Sequence, residues 1–252
     1  MDHPAQSRSH ALTRHSDDLT RRPKSAALLA LAAFAVLALL LLTGCGSSDS
    51  EGDSDGSGDG SDASSEAAAG TCSYPADSQS GAEDVDAPAE KPEADGEVEA
   101  TIGTNAGDLA VTLDADGAPC TVNSFLSLAK QKYFADTDCH RLTTEGIFVL
   151  QCGDPSGTGS GGPGYSFADE LDGSESYPAG TLAMANSGPD TNGSQFFVVY
   201  DDSSLPPDYT VFGSLDEDST KTVADIAAKG TDSGAGDGAP KEKVTITEVS
   251  AD

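Results

Sequence analysis

The 252-residue sequence predicts a mostly-β domain, a barrel with two helical plugs, and two observations carry that prediction. From Glu97 onward, short segments of five to seven residues, either alternating or apolar, recur between clusters of Gly, Pro, Asn and Asp. Two stretches, near Pro119 and near Thr220, instead carry apolar residues at three- and four-residue spacing. Strands that outnumber helices in this way argue for a curled sheet rather than alternating βαβ units.

Taken in order, Glu97–Gly103 and Asp108–Asp114 alternate apolar with polar side chains, and Asn105-Ala106-Gly107 turns between them as a hairpin. Pro119 sits where a helix can start, because its missing N–H costs nothing in a first turn. Val122, Phe125, Leu126 and Ala129 then share one face. Ile147–Gln151 is a strand running into Cys152-Gly153-Asp154-Pro155. Gly157–Gly164 holds five glycines and a proline, but no Gly-Lys-Ser/Thr follows. It is expected as a close-packed surface loop, not a phosphate loop. Thr181–Ala185 and Gln195–Tyr200 are strands, and Asn186–Ser194 between them is dense in turn formers. So long a polar connection between short strands is a shaped loop on a β scaffold. Thr210–Ser214 is a further strand. Thr220–Lys229 is a second helix with Val223, Ile226 and Ala227 inward, and Lys243–Val249 closes the chain as an alternating strand.

The N-terminal third has a different character. Residues 1–25 carry Arg8, Arg14, Arg21, Arg22 and Lys24, and Ala26–Leu42 is an unbroken apolar run of 17 residues. A basic region followed by an apolar one reads as a secretory signal, and the run is at the lower edge of membrane-spanning length. Leu42-Thr43-Gly44-Cys45 resembles a lipobox, whose Cys is lipidated and becomes the mature N-terminus. Residues 1–44 are therefore expected as a lipoprotein signal peptide, with Cys45 as a lipid anchor and an extracytoplasmic location at a membrane. Gly46–Gly70 has no aromatic or branched aliphatic residue, so burial cannot offset its conformational entropy. Asp53–Gly56 lacks the later Glu of a calcium loop. Residues 45–96, net charge −13, are read as a disordered acidic tether, and 97–252 as the folded domain.

That domain carries 26 acids and 7 bases, a net charge of −19, which argues against nucleic acid and acidic ligands as partners. It also isolates Arg141, since every other arginine lies at or before position 22. An ion pair with a neighbouring acid would explain one surface arginine. Its place beside His140 and next to a strand invites a specific role.

Met184–Phe197 reads M-A-N-S-G-P-D-T-N-G-S-Q-F-F, which resembles the signature of the cyclophilins, a family of peptidyl-prolyl cis-trans isomerases. Cys139-His140-Arg141, Gln151-x-Gly153-Asp154, Gly157–Gly162, Phe167-x-Asp169-Glu170 and Val211-Phe212-Gly213 follow in family order, so the likeness covers roughly Ala100 to Val249. It implies an eight-stranded antiparallel barrel capped by two α-helices, with Arg141 as the catalytic arginine. It also implies an apolar pocket from Phe148, Val149, Phe197 and Leu205, while Gln151, Ala185, Asn186, Gln195 and Tyr209 complete the substrate site. Three departures stand out. Six residues, Leu142–Ile147, separate Arg141 from Phe148 where the family usually has four, Ser204 stands where it often has Trp, and Tyr209 where it often has His.

The implied reaction rotates an X-Pro bond and breaks none, so it needs neither metal nor cofactor, and the expected partners are proline-containing polypeptides. His140 is read as structural, since no proton is transferred. A binding module or holdase using the same pocket without turnover is the alternative, kept open by the longer segment after Arg141. A monomer is expected. With Cys45 assigned to lipid, Cys72, Cys120, Cys139 and Cys152 form an even set in an exported chain, and no C-x-x-C pair suggests zinc. Of the three pairings, Cys120–Cys139 with Cys72–Cys152 is expected. The first would tie the helix start to the segment presenting Arg141, and the second would pin the tether to the barrel.

Overall fold

The computed structural model describes residues 70–77, 81 and 83–251. The signal peptide, Cys45 and the tether up to residue 69 lie outside the described residues. The hairpin forms as its alternation requires. Strands β1 (Glu97–Thr104) and β2 (Gly107–Asp114) pair in full register, and Leu109, Val111 and Leu113 of β2 all point into the core. Helix α1 (Pro119–Lys130) starts on its proline and buries Val122, Phe125 and Leu128. Leu126 and Ala129, expected on that face, are half-buried at its margin. The Glu170 carboxylate caps the helix, accepting from the Cys120 and Thr121 N–H groups at 2.8 Å each.

The remaining strands are β3 (Thr137–Asp138), β4 (Arg141–Thr143), β5 (Val149–Cys152), β6 (Thr181–Met184), β7 (Phe196–Val199), β8 (Val211–Leu215), β9 (Asp237–Gly238) and β10 (Thr245–Ala251). They form one antiparallel sheet in the order β3-β10-β1-β2-β8-β6-β7-β5-β4-β9. The sheet thus has ten strands where eight were expected; β3 and β9 are two-residue edge strands, and β4 carries too few residues to be read as a strand from the sequence. Helix α2 (Glu217–Ala227) begins three residues before the predicted start, because Asp216 caps it by accepting from the Ser219 N–H at 2.7 Å. Val223, Ile226 and Ala227 face inward as the spacing required.

Strand alternation gives the sheet two apolar faces. Leu150, Cys152, Leu182, Met184, Phe196 and Val198 join the main core, where Phe125 touches Phe134, Phe196 and Phe212 at ring separations of 5.2–5.7 Å. Their neighbours in sequence, Val149, Ala183, Phe197 and Val199, point the other way and form a smaller cluster with Tyr177. This second face carries the site.

Two expectations need correction. The disulfides are Cys72–Cys120 and Cys139–Cys152, not the reverse pairing. Strands β4 and β5 set Arg141 opposite Gln151, which brings the flanking Cys139 and Cys152 to a Cα separation of 4.0 Å. Residues 71–77 and 83–96 are also no free tether. Cys72 is buried, and Tyr74 packs edge-on against Tyr165 and Phe167 while donating its hydroxyl to the Cys120 carbonyl at 2.8 Å. From Cys72 onward the compositional argument fails, because Cys72, Tyr74 and Val85 supply groups worth burying.

Candidate functional site

Four adjacent strands place one rung of residues across the second face. Arg141 on β4 pairs with Gln151 on β5, Gln151 with Phe197 on β7, and Phe197 with Ala183 on β6. Above this rung lies a cavity of about 170 Å³ lined by Arg141, Ile147, Val149, Gln151, Ala185, Asn186, Phe197, Leu205 and Tyr209. Tyr209 meets Phe197 edge-on at 5.6 Å, and its backbone is held at both ends by the Tyr177 hydroxyl. Asn186 donates to the Asp208 carbonyl at 2.8 Å and so ties the signature loop to the segment bearing Tyr209.

Eight of the predicted residues therefore meet in one cavity. Phe148 does not: its N–H donates to the Ser203 hydroxyl and its ring leans on Tyr200, outside the lining. Ile147 takes its place. The reason is the longer segment after Arg141, which closes in a three-residue turn at Gly146 (φ +79°) with the Ile147 N–H on the Glu145 carbonyl. Ile147 thereby becomes part of the cavity wall. Gln195 lies outside it, in a second cavity of about 270 Å³, which shares Gln151, Ala185 and Asn186 with the first and is walled by Gly159–Gly164, Thr191 and Asp77.

A polar chain runs along the rung. Asp237 accepts from Arg141 Nε at 2.9 Å and from Nη2 at 2.7 Å. Arg141 Nη1 donates to Gln151 Oε1 at 3.3 Å, Gln151 Nε2 to Gln195 Oε1 at 2.9 Å, and Gln195 Nε2 to the Gly161 carbonyl at 2.9 Å. The bond to Asp237 pushes the already high pKa of Arg141 further up and holds Asp237 below the usual carboxylate range. Sequence reasoning missed Asp237, because Thr231–Pro240 reads as a featureless Gly/Ser/Asp loop and lies 96 residues from Arg141.

The His140 ring packs against Gly159. Neither ring nitrogen has a hydrogen-bond partner among the described residues, and burial lowers its pKa against the pull of Asp154. Asp154 is itself buried, yet the N–H groups of Ser156, Gly159 and Gly161 and the Ser156 hydroxyl hold its carboxyl low. The glycine run is thus a collar around a carboxylate that also offers the Gly161 carbonyl to Gln195. Among the described residues no group of three or more His, Cys, Asp or Glu is placed to hold a metal ion.

Residues 99–251 match the family model described as cyclophilin type peptidyl-prolyl cis-trans isomerase/CLD. The probable peptidyl-prolyl cis-trans isomerase B of Mycobacterium tuberculosis is 47% identical over 196 residues, covering 72% of this chain and 64% of that protein. The chain thus spans about two thirds of that relative's length. A cyclophilin-type isomerase of Cryptosporidium parvum superposes with a TM-score of 0.55 at 32% identity, over 62% of this chain and 98% of that one. The same protein solved in the presence of the dipeptide Ala-Pro gives a TM-score of 0.53 at 33% identity, over 60% and 96%.

Proposed function

The chain belongs to the cyclophilin-type peptidyl-prolyl cis-trans isomerases, and we propose that it acts as one, rotating X-Pro bonds of exported polypeptides from a lipid anchor at Cys45. The observation that carries the reading is a charged guanidinium, fixed by Asp237 and Gln151, at the edge of an apolar cavity floored by Phe197. The prolyl bond resists rotation by roughly 18–20 kcal/mol because the nitrogen lone pair is delocalised. At the twisted geometry that lone pair localises and can accept a hydrogen bond. An Arg141 N–H donating there binds the transition state better than the planar ground state, which is the condition for catalysis. Val149, Phe197, Leu205 and Ile147 hold the ring, and Asn186, Gln151 and Gln195 offer polar groups to the flanking backbone.

The anchor rests on the sequence: a basic segment, the apolar run 26–42 and Thr43-Gly44 before Cys45. Fatty-acid labelling that disappears in Cys45→Ala tests it, and labelling that persists would refute it. For the reaction, the full chain at catalytic concentration should produce exchange cross-peaks between the cis and trans forms of a short X-Pro peptide. Peptide binding with no exchange would identify a binding module instead.

A further inference from the structure

We infer that Asp237 is a positioning residue of the isomerase reaction, holding the Arg141 guanidinium in the orientation that meets the prolyl nitrogen; this rests on the isomerase reading above. The segment Thr231–Pro240 carries almost nothing to bury, yet it folds back sharply on itself. Thr231 and Pro240 bridge, the Asp232 N–H donates to the Ala239 carbonyl at 2.9 Å, and the Thr231 hydroxyl donates to the Ala235 carbonyl at 2.6 Å. Its far limb, β9, adds to the edge of β4 with Asp237 opposite Thr143 and Gly238 opposite Leu142. The Thr144 N–H donates to the Gly236 carbonyl at 2.8 Å. A Cβ at Gly236 would stand 2.8–2.9 Å from the Glu145 side chain, so the flap lies close against the longer segment after Arg141. The two features form one device, and its product is a carboxylate facing the guanidinium.

The contact itself is a fork. Asp237 takes Nε and Nη2, and Gln151 takes one N–H of Nη1. Of the five guanidinium donors, two remain, one on each Nη. A two-point carboxylate clasp fixes the plane of the group, where a single contact would leave it free to swivel. With the two side chains 38% and 57% exposed, the pair contributes little to stability, so stability does not explain it. The flap's backbone bonds do not depend on the side chain at 237, whereas the fork needs a carboxylate there.

The test uses the full chain, with kcat and KM resolved separately on a short X-Pro peptide. Asp237→Asn should lower kcat about tenfold and leave KM within about twofold, because the ordering is felt only when Arg141 meets the twisted nitrogen. Asp237→Glu should keep more activity than Asp237→Ala; equal losses would assign the effect to the flap and overturn the inference. With arginine labelled at Nε, the Arg141 N–H signal, assigned by its loss in Arg141→Lys, should exchange faster with solvent in Asp237→Asn. Unchanged or raised kcat in Asp237→Asn would make Asp237 a bystander or a brake and would also overturn it. Wild-type protein without activity would overturn the isomerase reading and this role together. An active wild type matched by an equally active Asp237→Asn defeats this role alone.

Discussion

At the scale of single residues, the site separates shape from charge. Ile147 lines the cavity and Phe148 does not. Ile147→Ala should therefore lower kcat/KM about tenfold, through the loss of roughly 1–2 kcal/mol of apolar contact. Phe148→Ala should change it by less than about twofold, and steady-state kinetics on a short X-Pro peptide would show the reverse order if the family's pocket residue had transferred unchanged. His140 gives a second, independent reading. Burial lowers its folded pKa below the ordinary value near 6.5, so the unfolded chain binds its proton first. The stability this contributes is fully present above about pH 6.5 and is lost as pH falls toward the folded pKa. Asp154 and Asp237, both held low, add losses of the same sign only below about pH 3.8. Melting temperatures should fall between pH 7 and pH 5, and His140→Gln should flatten that fall; an identical slope in the variant would contradict the assignment. Activity should stay nearly flat from pH 6 to pH 8, since neither Arg141 nor Asp237 titrates there.

At the scale of elements, the two disulfides have separable consequences. Cys139 and Cys152 close a short loop across β4 and β5, two residues from Arg141 and one from Gln151. In the chain-entropy model such a loop contributes about 3 kcal/mol, and the larger loop of Cys72–Cys120 about 4 kcal/mol. Replacing Cys139 and Cys152 by Ser should lower both the melting temperature and kcat/KM. Replacing Cys72 and Cys120 should instead expose residues 70–96 to protease while activity changes little. A non-reduced digest linking Cys120 to Cys139 would contradict this pairing. What was legible in the sequence follows the same division. Alternation and turn residues announced the hairpin and the strands carrying Gln151 and Phe197, because each side chain's face follows from the strand period alone. The disulfide pairing was not legible, since it depends on the β4–β5 register. Nor was Asp237, which reaches Arg141 only through a flap without apolar pattern, or Ile147, which a turn at Gly146 rotates into place.

At the scale of the whole molecule, 26 acids against 7 bases from residue 97 onward surround a site whose arginine is already paired. The field of such a domain should favour X-Pro peptides flanked by Lys or Arg over those flanked by Glu, with a ratio that shrinks as salt shortens the screening length. Rates that ignore both flanking charge and salt would show that the field does not reach the site. The central claim is that a rigid guanidinium beside an apolar cavity turns the prolyl bond. It is tested most directly by a protease-coupled isomerase assay comparing the full chain with Arg141→Ala and Arg141→Lys. The expected result is an active wild type, a loss of about a hundredfold or more in kcat/KM for Ala, and poor rescue by Lys, whose ammonium cannot reproduce the planar fork. An Arg141→Ala protein as active as the wild type would contradict the account.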